Sequence, residues 1–129
     1  VTTLSHTETS LSEGTSYKFK IRARNAVDFS TYSSIFTIIA ATVPSQPSAP
    51  TTALNGDQTQ VVIDWSAPSD LGGLSISGYR VKIKTDTGSF EKDTANCNAE
   101  SDTGIISATN CSVPVATLND PPFNLGSSA

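Results

Sequence analysis

Hydrophobic and polar positions alternate with a period of two at several places along the chain, and a helical period is nearly absent. Tyr17, Phe19, Ile21 and Ala23 fall on one side, and Lys18, Lys20, Arg22 and Arg24 on the other. Successive strand side chains point to opposite faces, so this stretch reads as a half-buried strand with a charged outer face. Val61, Ile63 and Trp65 alternate with Val62 and Asp64, and Tyr79, Val81 and Ile83 alternate with Arg80, Lys82 and Lys84. Residues 35–39 are apolar on both faces and predict a further strand without fixing its inward side. Pro114 lies between Val113 and Val115 and cannot donate to a ladder, which points to an edge strand or a strand end.

The connections between these runs are rich in turn residues. Asn55-Gly56-Asp57 and Asp70-Leu71-Gly72-Gly73 are turn signals, and Asp86-Thr87-Gly88 reads as the close of a hairpin. Residues 43–50 hold three prolines, which favour an extended, semi-rigid connector. Short strands separated by frequent turns predict an all-β sandwich.

Composition narrows the function classes. Hydrophobic residues make up 36% and charged residues 16%, while 36 of the 129 residues are Ser or Thr. The surface is therefore built from uncharged hydroxyl groups, which also accept O-glycans. A net charge of −4 argues against nucleic acid, because phosphate binding needs a basic face. No apolar run approaches the roughly 20 residues of a membrane helix, so no membrane insertion is expected of this segment. There is no methionine, and Val1 is read as the start of a processed product or an excised segment rather than of translation. Cys97 and Cys111 sit in a polar stretch. A disulfide is favoured over a metal site or free thiols, since His6 is distant in sequence and no other ligand lies at metal spacing. That pairing implies an oxidising compartment, extracellular or at the cell surface.

The segment Gly14-Thr15-Ser16-Tyr17-Lys18-Phe19-Lys20-Ile21-Arg22-Ala23-Arg24-Asn25 resembles strand F of a fibronectin type III domain, with Leu11 ahead of it and Ser30 and Ser33 after it. In that family a tyrosine near the start of strand F buries its ring and sends its hydroxyl back to upstream backbone. Val61-x-Ile63-x-Trp65 resembles strand B with the family's core tryptophan. Pro68-x-Asp70-x-Gly72-Gly73-x-x-Ile76-x-Gly78-Tyr79-x-Val81 resembles the B–C loop and strand C. The resemblance implies an immunoglobulin-like β-sandwich with a core including Tyr17, Phe19, Ile21, Val61, Ile63, Trp65, Tyr79 and Val81.

The order in the chain is F, then A, B and C. The expected organisation is therefore residues 1–42 as the C-terminal part (strands E-F-G) of one domain and residues 43–50 as a proline-rich linker. Residues 51–129 are then the N-terminal part (strands A–E) of the next. Overlaying Gly126 on Gly14 brings Val113 onto Val1, Phe123 onto Leu11, Ser128 onto Ser16 and Ala129 onto Tyr17, an offset of 112 residues. The excess over an ordinary domain falls between Thr85 and Cys111. A cysteine pair before a Val-Pro strand resembles the extended type III domains of large ciliate and related protist surface proteins.

The remaining chemistry is sparse. Lys18, Lys20, Arg22 and Arg24 are read as a solvated strand face paired to acidic neighbours, with an anionic-glycan site as the alternative. His6 lies among Ser5, Glu8 and Ser10 with no nucleophile elbow and is read as a surface histidine. Asp57 and Asp70 are read as turn formers rather than calcium ligands. Asn110-Cys111-Ser112 is the only N-glycosylation sequon and is placed on a loop. No enzyme, metal or cofactor is expected. The expected function is a structural module of an extracellular filament, coat or rod of tandem repeats, whose partners are adjacent copies, head to tail. The alternative is an adhesion or recognition module that binds a protein or glycan through loops such as 67–77.

Overall fold

The computed structural model describes residues 3–126, so Val1, Ser128 and Ala129 of the repeat overlay lie outside the described residues. Among the described residues the regular elements are mostly antiparallel strands, with two short helices. It divides into two compact units, Val1–Ser45 with Asp70–Ser75, and Gln46–Ser69 with Ile76–Ala129.

The first unit is built on one hairpin. Strand β1 (Ser16–Phe19) pairs antiparallel with β2 (Phe36–Ile39), with Tyr17 opposite Ile38 and Phe19 opposite Phe36. Directly opposed residues share a face, so these four form one apolar face, while Ser16, Lys18, Thr37 and Ile39 form the other. The ladder is shorter than the alternation through Ala23 predicts, because two serines intervene. The Ile21 N–H donates to Ser33 Oγ at 3.1 Å and the Ala23 N–H to Ser30 Oγ at 3.0 Å. The Ser33 and Ser30 amides return bonds of 2.8 Å to the carbonyls of Ile21 and Ala23. Side-chain hydroxyls thus replace backbone acceptors, and the strands run on without a regular ladder. At the tip, Asn25 Oδ1 accepts from the Val27 and Asp28 amides, an Asx turn. No strand precedes Ser16 among the described residues, so β1 and β2 are the only strands of the three expected in residues 1–42.

Residues 70–75 belong to this unit rather than projecting as a free loop. The Thr42 amide donates to the Gly72 carbonyl and the Ser45 amide to the Asp70 carbonyl, both at 2.9 Å. Gly72 has φ +73°, and a Cβ there would stand 2.2 Å from the Thr42 carbonyl oxygen. Only glycine satisfies both conditions.

The second unit holds all the buried apolar side chains among the described residues. Strands β3 (Thr51–Leu54) and β4 (Gln60–Asp64) form a hairpin. The Gln60 amide bonds Asn55 Oδ1 at 2.9 Å across its turn, and Asp57 accepts from Thr59. Residues 79–84 alternate half-buried Tyr79, Val81 and Ile83 with exposed Arg80, Lys82 and Lys84, as a strand should. Only β5 (Ile83–Lys84) joins a ladder, with β6 (Phe90–Glu91), through the expected Asp86-Thr87-Gly88 turn. Helix α1 (Thr103–Ala108) starts at Asp102, whose carboxylate accepts from the Gly104 and Ile105 amides. Strand β7 (Asn110–Pro114) pairs with β4, giving a sheet ordered β3-β4-β7. Pro114 ends that edge strand, and helix α2 (Val115–Asn119) follows, so Val115 is helical rather than the strand residue its spacing predicts. The core joins Ile63, Cys97, Cys111 and Val113, with Val61, Trp65, Val81, Ile83, Ile105 and Leu118 packed against it. Cys97 and Cys111 form a disulfide with Cα atoms 5.3 Å apart.

Candidate functional site

The face of β4 turned from solvent carries Val61 and Ile63, with Trp65 just beyond the strand. Tyr79, Val81 and Ile83 line the same space as these three. That space is an open, mostly apolar cleft of about 690 Å³, lined also by Phe90, Leu118 and Leu125. Trp65 and Tyr79 meet edge to face with ring centroids 5.5 Å apart. The indole N–H of Trp65 is buried with no acceptor, a cost that polar interiors normally avoid. No carboxylate, imidazole or thiol lines the cleft among the described residues. It therefore offers chiefly apolar area, with Ser48, Thr52, Tyr79, Arg80 and Lys82 as the polar residues of its lining.

The residues expected to form a core divide sharply in burial. Ile63 is 8% exposed, and Val61, Trp65, Tyr79 and Val81 are half-buried around the cleft. In the first unit Tyr17 is half-buried, whereas Phe19 is 38% and Ile21 76% exposed. Tyr17 nonetheless fixes local backbone: the Ser12 N–H donates to its hydroxyl oxygen at 2.8 Å.

The basic strand face is arranged differently from the expected pairing with acids. Lys20 Nζ lies 4.1 Å from the Tyr32 ring centroid, and the Arg22 guanidinium lies 4.0 Å from Phe29 and 4.9 Å from Tyr32. Arg24 stands 5.1 Å from Phe29. Cations and rings thus alternate in a ladder. Each contact is worth about 0.5–1 kcal/mol at an exposed site. Periodicity placed the cations, but their aromatic partners come from the return segment and needed its register.

Other expected residues hold local structure. His6 Nε2 meets Glu8 Oε2 at 3.1 Å on an open surface. Asp70 Oδ1 accepts from the Gly72 amide inside its turn. Hydrogen bonds from the Thr59 hydroxyl and amide hold Asp57 below the usual carboxylate range. No cluster of three or more His, Cys, Asp or Glu suited to a metal occurs among the described residues. Asn110 opens β7 rather than lying on a loop; with Ser112 it alternates with buried Cys111 and Val113, which turns the sequon to the outer face. An arrangement the sequence did not reveal is Glu100 between two cations, bonded to Arg80 and, at 3.0 Å, to Lys92. These bonds hold the Glu100 carboxyl below its usual range and raise Arg80.

Two larger proteins share sequence with the chain. A Kelch domain-containing protein of Saccharolobus solfataricus is 33% identical over 82 residues, which is 64% of this chain and 11% of that protein. Exoglucanase B of Cellulomonas fimi is 31% identical over 118 residues, 84% of this chain and 10% of that protein. The chain thus spans about a tenth of the length of each. No family model matches it, and no solved structure matches it significantly.

Proposed function

We propose that the chain is a structural module of an extracellular or cell-surface rod, coat or filament built from fibronectin type III-like repeats, and that it catalyses no reaction. The observation that carries this reading is the cleft, whose wall is made mainly of core-type side chains, among them Val61, Ile63, Trp65, Val81 and Ile83. The Tyr17 hydroxyl bonded to upstream backbone supports the family resemblance. The disulfide is compatible with an oxidising compartment, and no helix among the described residues is long and apolar enough to cross a membrane. Two relatives with unlike names share a segment amounting to a tenth of each, as expected for a module reused within larger proteins. Electron microscopy of the native material tests the reading. Regular fibres or coats built on this repeat are expected; isolated particles carrying a bound partner would overturn it.

One observation favours recognition as a second reading. Lys20, Arg22 and Arg24 lie along one strand on aromatic rings, and no acid pairs with them among the described residues. Such a row suits an anionic glycan. The loop 67–77 is less suited, because residues 70–75 are engaged within the first unit. Salt-sensitive retention on a sulfated polysaccharide, weakened by Arg22→Gln, is the outcome this reading requires.

A further inference from the structure

We infer that the cleft of the second unit is closed by the β1–β2 hairpin of a second copy of this chain. The inference rests on the structural reading above and names the partner of that same site.

The cleft has an unpaired edge as well as an apolar wall. Residues 79–84 alternate in burial like a strand, yet among the described residues their only ladder is Ile83–Lys84 with β6. The opposite edge presents backbone donors and acceptors to whatever lies there, and such an edge is a template for strand addition. The hairpin is the matching half. β1 uses one edge for β2 and, among the described residues, leaves the other without a ladder. Its apolar face runs from Tyr17 through Phe19 to Ile21, joined across the ladder by Phe36 and Ile38. Phe19, Ile21, Phe36 and Ile38 are 38%, 76%, 68% and 49% exposed.

The areas also agree. At ordinary side-chain sizes those four residues expose on the order of 400 Å² of apolar surface. Homo-oligomer interfaces are about 65% apolar, so this area implies a patch of roughly 600 to 700 Å² per partner. A standard stable interface buries roughly 800 Å² per partner, which the hairpin approaches before any contact of β2 with the cleft ends is added. Docking one copy's hairpin in the next copy's cleft uses two different surfaces. The contact is therefore heterologous, head to tail, and leaves a free hairpin at one end and a free cleft at the other.

The electrostatics of this contact give it a signature. It brings Lys18, Lys20 and Arg22 of one copy near Arg80, Lys82 and Lys84 of the next, and among the described residues Glu100 pairs with Arg80 and Lys92 alone. Like charges side by side on a sheet repel, so association strengthens as salt rises.

The test mixes two variants of the full chain. Ile21→Lys with Phe36→Lys spoils the hairpin face but leaves the cleft, and Phe90→Lys spoils the cleft but leaves the hairpin. All three sites are more than half exposed, and the Cys97–Cys111 bond and far-ultraviolet circular dichroism check that each variant folds. The wild type is expected to form open-ended oligomers that grow with concentration and with salt. Each variant alone should associate roughly a hundredfold more weakly or worse. The equimolar mixture should stop at a dimer with one intact interface and shift the emission of Trp65, the chain's one tryptophan, to the blue. A mixture that stays monomeric overturns the inference. A monomeric wild type whose blue-shifted Trp65 emission is lost in the hairpin variant also overturns it: the chain then closes its own cleft, and the structural reading survives. A small apolar molecule retained by the purified wild type in native mass spectrometry overturns both.

Discussion

Glu100 shows how a single exposed residue ties distant parts of the sequence together. Its carboxylate accepts from Arg80, on the segment leading into β5, and from Lys92, just after β6. Both bonds favour the charged form, so its folded pKa lies below the value in the unfolded chain. A depressed carboxylate stabilises the fold fully above its unfolded pKa and loses that contribution as pH falls through the folded one. Thermal unfolding followed from neutral to acid pH should therefore show a smaller acid-induced drop in Glu100→Gln than in the parent, starting near pH 4.5. An unchanged drop would mean that solvent screens the pair completely. None of this was visible in the sequence, since twenty positions separate Glu100 from Arg80 and only the path of residues 79–100 brings them together. The Tyr17 contact with Ser12 was readable, because it spans five residues and follows from one motif.

At the scale of elements, the strands that alternate cleanly were legible, and the short helices were not. Six residues of α1 and five of α2 are too few for a 3.6-residue period to declare itself. The local signal for α1 was its cap: Asp102 precedes Thr103 and accepts from two otherwise unpaired amides. Asp102→Ala should cost about 1 kcal/mol in chemical denaturation. The same segment is anchored at its ends by Cys97 and Cys111. Closing a loop of this size stabilises by roughly 3 kcal/mol in the chain-entropy model. Reduction, or Cys97→Ser with Cys111→Ser, should lower the unfolding free energy by about that amount, with the loss concentrated in the second unit. Hydrogen exchange would show it as faster exchange of the β7 amides while those of β1 keep their rate.

For the whole molecule, the decisive feature is the uneven distribution of burial. Val113 and Phe123 are fully enclosed in the second unit, while the hairpin of the first keeps its large apolar residues exposed. A surface so low in charge needs another source of solubility, and the outward Asn110 of the sequon offers one. Material from the native source should carry a glycan on Asn110, seen as added mass on the peptide containing it and lost in Asn110→Gln. A bare peptide mass would show that the disulfide at the middle position, Cys111, blocks use of the site.

The sequence by itself determined the all-β character, the β3–β4 and β5–β6 turns, the cysteine pair and the alternating faces around Trp65 and Tyr17. Each of these is set by residues a few positions apart, through side-chain period, turn stereochemistry or a unique pairing. The tertiary structure decided how far those faces are covered. Val61, Val81 and Ile21 are equally apolar in sequence, yet the first two are half-buried and the third is 76% exposed. It also decided that residues 70–75 belong with the first unit, that the cations of the basic strand rest on Phe29 and Tyr32, and that residues 79–82 lack a ladder among the described residues. Burial and pairing depend on which segments meet across long stretches of chain, and no local pattern encodes that meeting.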